Sequence, residues 1–114
     1  MPENRKKLIK KLIGSISNAI VHEILRKAAE NKEISNYYEK EIENAVYRSK
    51  EFRREINPPD SRLPEKDVYY IRNKIIKRVK TELIVRISKG YKNINLDGID
   101  LEIDQLLKEL EMEV

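Results

Sequence analysis

The chain has 114 residues and a net charge of +4; 39% of its side chains are charged, 39% are apolar, and there are only 3 Gly and 4 Pro. That is the size of one domain, and it is too apolar for a disordered polyelectrolyte. Cysteine is absent and His22 is the single histidine, which excludes disulfide frameworks, thiolate nucleophiles, cysteine zinc sites and iron–sulfur clusters.

No apolar run reaches the roughly 20 residues of a membrane span, and the opening Met1-Pro2-Glu3-Asn4-Arg5-Lys6-Lys7 lacks the apolar stretch of a secretory signal. A soluble, cytoplasmic protein without cofactor is expected.

The first segment, 4–30, places Ile9, Leu12, Ile13, Ile16, Ile20 and Ile24 at steps of three and four. That spacing predicts an amphipathic helix. Gly14 interrupts it at a cost of about 1 kcal/mol relative to Ala, which marks a close-packing point or a mild kink. His22, beside Glu23, falls off the apolar stripe and is expected at the surface.

The second segment, 35–56, carries Tyr38, Ile42, Ala45, Ser49, Phe52 and Ile56 in a heptad seam, with Ser35 as its expected N-cap. The run Asn57-Pro58-Pro59-Asp60-Ser61-Arg62-Leu63-Pro64 then forbids a continuous helix. Pro64 suits the first turn of the next one.

The third segment, 64–89, repeats Val68, Ile71, Ile75, Val79, Leu83 and Ile87, and Gly90 is placed to end it in a left-handed conformation. A short hairpin over 82–96 competes for the same residues, but an isolated pair of strands is marginal. The fourth segment, 100–113, repeats Ile103, Leu106, Leu107 and Leu110, and acids crowd its start, where the helix dipole favours them. The expected fold is one all-α, four-helix domain over 1–114, with antiparallel helices and a Pro-rich loop between the second and third.

The net charge hides an asymmetry. Residues 1–57 hold 13 basic and 9 acidic side chains, residues 58–95 hold 10 and 4, and residues 96–114 hold 1 and 7. A basic third helix thus precedes an acidic fourth. Projected at 100° per residue, Lys66, Tyr70, Asn73, Lys74, Lys77, Arg78 and Lys80 fall opposite the third helix's apolar stripe. This is a candidate nucleic-acid face, each cation able to release a counterion from a phosphate backbone, although a solvated helix face has the same composition.

Glu82 and Arg86 sit within the apolar stripe at the spacing of a favourable pair, either on its exposed edge or where the helix leaves the core to meet another subunit. Two of the six tyrosines, Tyr69 and Tyr70, join them as a candidate protein interface. The apolar face Ile103, Leu106, Leu107 and Leu110 completes it, a surface that needs a partner to bury it.

Catalysis is not expected. The chain has no His-Glu-x-x-His motif, no phosphate-binding glycine loop and no serine elbow. Abundant Lys, Glu and Ile, with Gln105 the single glutamine, resemble a thermophile composition.

Over residues 37–110, Tyr37-Tyr38-Glu39 resembles the aromatic pair opening the second helix of the helical domain of GINS-type replication subunits. Glu82-Leu83, Arg86 and Lys89 resemble the Glu…Arg…Lys run of that domain's long basic helix, with a slightly different Glu-to-Arg spacing, and 100–110 is similar to the helix that follows. The resemblance implies a scaffold that binds proteins and has neither active site nor cofactor.

The reading that results is a non-catalytic helical interaction subunit of an intracellular assembly, one that handles nucleic acid. Two alternatives stand beside it: a stand-alone, sequence-non-specific DNA- or RNA-binding protein, and a small homo-oligomer built on the second segment's seam.

Overall fold

The computed structural model describes residues 4–56 and 62–112. It contains four α-helices and, among the described residues, no strand: α1 (Arg5–Ala28), α2 (Lys32–Ile56), α3 (Glu65–Ser88) and α4 (Ile99–Glu109). Most of the proline-rich turn between α2 and α3, 57–61, lies outside the described residues, as does the expected end of the fourth helix at 113.

Side-chain pairs fix the helix directions. Arg5 bonds Asp67 at 2.5 Å, so α1 and α3 start at the same end. Arg5 reaches the Ile56 carbonyl at 3.4 Å and Arg26 approaches Glu39 at 4.0 Å, so α2 runs against α1; Lys27 at the end of α1 pairs with Glu102 and Arg72 near the start of α3 meets Asp104 at 2.8 Å, so α4 runs against α3. Consecutive helices are antiparallel, and α1 is the hub that packs against each of the other three.

Why α1 takes the centre is written in its residues. Beyond the expected stripe it also buries Leu8, Val21 and Leu25, together with the small Ser15, Ser17 and Ala19. A helix buried round most of its circumference cannot lie on the surface of a bundle. The α2 seam meets α1 through Ala45 and Ser49, both fully buried, and these small side chains let the two backbones approach closely. The other seam residues, Tyr38, Ile42, Phe52 and Ile56, stay partly exposed, and Tyr38, Phe52 and Ile56 pack against the same core.

Two expectations need correcting. Asn31, not Ser35, caps α2: its Oδ1 accepts the Ile34 N–H at 2.9 Å, so the helix begins at Lys32. The hairpin over 82–96 does not form. Leu83 extends the core stripe with no exposure, and α3 runs on to Ser88. It closes at Gly90 (φ +100°), where Gly90 N–H bonds the Ile87 carbonyl and Tyr91 N–H the Arg86 carbonyl. These are the two bonds of a Schellman motif, and its left-handed residue is the expected glycine. The α4 end closes in the same way on Glu111 (φ 57°), with Met112 N–H bonded to the Leu107 carbonyl and its side chain buried.

The largest correction concerns α4. Ile103, Leu106, Leu107 and Leu110 are buried in this chain's own core, together with Ile99 and Met112. The helix is too short to hold itself, but α1 and α3 supply the surface that the sequence reading assigned to a partner. Ile103→Ala is therefore expected to cost about 3 kcal/mol of unfolding free energy, and Ala45→Leu, which pushes α2 off α1, about 2 kcal/mol. Urea titrations check both, and the losses should not depend on protein concentration.

Candidate functional site

α2 and α3 flank α1 without packing against each other, which leaves an open groove of about 460 Å³ floored by the exposed stripe of α1. Three cations from three helices converge on it: Lys11 from α1, Arg48 from α2 and Arg78 from α3. Phe52 forms part of the α2 wall, and the Lys11 ammonium lies 6.0 Å from its ring centroid. Glu82 is the one carboxylate in the lining.

Gly14 lies in the floor, and α1 runs through it unbroken. A Cβ built there would meet only the Arg78 Nη1, at 3.6 Å, an ordinary van der Waals distance. Neither helix packing nor backbone conformation needs a glycine at this point, contrary to the close-packing reading. The missing Cβ leaves bare backbone beneath the Arg78 guanidinium.

The expected nucleic-acid face continues out of this groove. Lys66, Tyr70, Asn73, Lys74, Lys77, Arg78 and Lys80 are all exposed. Lys74 reaches back over the Tyr70 ring at 5.7 Å from its centroid. Among the described residues, none of Arg48, Lys66, Lys74, Lys77, Arg78 and Lys80 has a carboxylate within salt-bridge distance. The acidic α4 answers other cations: Glu102 pairs with Lys27 and Asp104 with Arg72, whose pKa is raised chiefly by that hydrogen bond. Burial lowers the pKa of Arg53, and the Glu111 charge opposes the shift.

At the far mouth of the groove the chemistry becomes aromatic. Tyr38 packs on His22 and on Tyr37, with ring centroids 5.6 Å apart in each case. Its hydroxyl is pushed above the usual tyrosine value, first by burial and then by Tyr91, while Arg86 pulls it down. His22 is half-buried rather than at the surface, and its Nδ1–H donates to the Asn18 carbonyl at 2.8 Å. The expected Glu82–Arg86 ion pair is replaced by a bond from Arg86 Nη1 to the Glu82 carbonyl at 3.4 Å. Of the expected protein interface, Tyr69 and Tyr70 are exposed, Glu82 and Arg86 half-exposed, and the α4 residues buried.

The sequence reading missed Lys11, Gly14, Arg48 and Phe52 as members of one site. A signal was present: Lys7, Lys11, Gly14 and Asn18 recur at steps of three and four along the polar side of α1. Among the described residues no group of three His, Asp or Glu side chains could hold a metal ion, and no helix is long and apolar enough to cross a membrane. No protein-family model, no curated protein and no solved structure matches the chain.

Gly14→Ala should raise the unfolding free energy by up to about 1 kcal/mol, since helix propensity improves and nothing clashes. Thermal or urea unfolding reads this directly. A loss of stability would mean that the fold itself requires the glycine.

Proposed function

We propose that this chain is a non-catalytic binding module for the phosphate backbone of nucleic acid, with no sequence preference. The observation that carries the reading is the convergence of cations from three helices over a stretch of α1 left bare by Gly14. Five uncompensated cations of α3, together with Arg48, extend the positive surface around it. Arg78 and Arg48 supply planar donors suited to phosphate oxygens, the outer lysines add point charges, and Phe52 offers a ring face within the groove. A groove between neighbouring helices admits a single strand more readily than a duplex, whose diameter exceeds the spacing of packed helices.

Binding of this kind carries a salt signature. The logarithm of the association constant falls linearly with the logarithm of salt concentration, with a slope near −0.7 per phosphate contacted on a single strand. Fluorescence anisotropy of a short labelled oligonucleotide measures it. The charge reversals Arg48→Glu and Arg78→Glu, made together, are expected to weaken binding by roughly tenfold or more and to flatten the slope by about two contacts. Reversing Lys32 and Lys40, exposed and at the other end of α2, changes net charge equally and should cost much less. Absence of binding at low salt, or equal losses from the two pairs, overturns the reading. Gly14→Ala is expected to bind more weakly although it folds more stably.

A further inference from the structure

Beyond the buried Leu83, the end of α3 carries exposed apolar side chains. Ile84, Val85 and Ile87 are 55, 44 and 41% exposed, and Tyr91, held by the Schellman bond to Arg86, is 47% exposed. At 100° per residue the three helical positions fall within one arc of about 160°, on the side of α3 away from the buried Val79 and Leu83, and with Tyr91 they end the helix in an exposed apolar knob. Lys80, Lys89 and Lys92 flank this stretch along the chain and are exposed, and Glu82 is the one carboxylate between positions 80 and 92. Such a knob fits a concave apolar site with an acidic rim.

The chain carries one. Between α2 and α4 a cleft of about 210 Å³ has a floor that includes Ile20, Ile42, Val46 and Leu106. Glu23, Glu102 and Glu109 line it as well, and among the described residues no Lys or Arg does. Arg26 and Lys27 pair with Glu23 and Glu102 from outside the lining, while Glu109 has no cation within salt-bridge distance among the described residues. Ile42 and Val46 are half-exposed, so the floor is open to an incoming side chain.

We propose that the α3 knob of one copy seats in the α2–α4 cleft of another, giving a salt-sensitive self-association through two different surfaces. Knob-to-knob pairing is disfavoured on two grounds. It would set lysines against lysines, and four half-exposed apolar side chains offer on the order of 100 Å² each, short of the ~800 Å² per partner of a standard stable interface. Knob-to-cleft pairing adds the cleft walls to the contact and places Lys80, Lys89 and Lys92 against the glutamate rim. The contact is heterologous, so it either closes in a reciprocal pair or ring, or propagates.

Sedimentation velocity of the full chain over rising concentration at low salt tests this, with two variants built on exposed positions. One carries Ile84→Ser and Ile87→Ser in the knob, the other Gln105→Arg and Glu109→Arg on the cleft rim. The wild type is expected to gain mass with concentration and to lose it as salt rises. Each variant alone should associate at least about tenfold more weakly, with an unchanged circular dichroism melt. An equimolar mixture should regain association, because each variant supplies the surface that the other lacks. A wild type that stays a single chain at every concentration overturns the proposal. So does a mixture that associates no better than its components, the result expected if the knob serves an acidic groove on a different protein.

Discussion

The burial of α1 on almost every side is the constraint from which the rest of the structure follows. A 24-residue helix with eleven buried positions offers contact surface round most of its circumference, and each of the other helices packs against it. Because α2 approaches through Ala45 and Ser49 on one flank and α3 through Ile71, Ile75 and Val79 on another, the polar remainder of α1 is left as the floor of a trough. The groove is thus a consequence of packing, and its charge a consequence of which residues occupy the edges.

Charge is segregated rather than merely abundant. The acidic helix, α4, sits on the side of α1 and α3 away from the groove; its carboxylates engage Lys27 and Arg72, and Glu111 just beyond it acts on Arg53. Exposed pairs of this kind contribute little to stability. Their more important effect is on the field: the carboxylates of the C-terminal segment engage cations away from the groove, and among the described residues Arg48, Lys66, Lys74, Lys77, Arg78 and Lys80 have no carboxylate within salt-bridge distance. Under the proposed function, a steered, salt-sensitive association with a polyanion follows from that layout, without any base-specific contact.

Much of the fold was legible in the sequence, since the steps of three and four in each segment named the helices and Gly90 named where α3 stops. The order of importance among the helices was not. The same apolar stripe is expected whether a helix lies at the centre or the edge, and only the extra small and apolar residues Ser15, Ser17, Ala19, Val21 and Leu25 set α1 apart. The apolar face of α4 was read as needing another protein because a sequence shows that a surface must be buried and not which neighbour buries it. The candidate site was half-visible for a related reason. The α3 cations share one helix and project together, whereas Lys11, Arg48 and Arg78 lie on three helices and meet only through tertiary packing.

The most direct examination of the central claim is an amide chemical-shift map of the folded chain titrated with a short single-stranded oligonucleotide at low salt. The account predicts that the largest changes fall on the floor and walls of the trough, around Lys11 to Asn18, Arg48, Phe52 and Arg78, with smaller ones along the outer lysines of α3. Changes confined to the outer face of α3, or spread evenly over every lysine of the molecule, would contradict it.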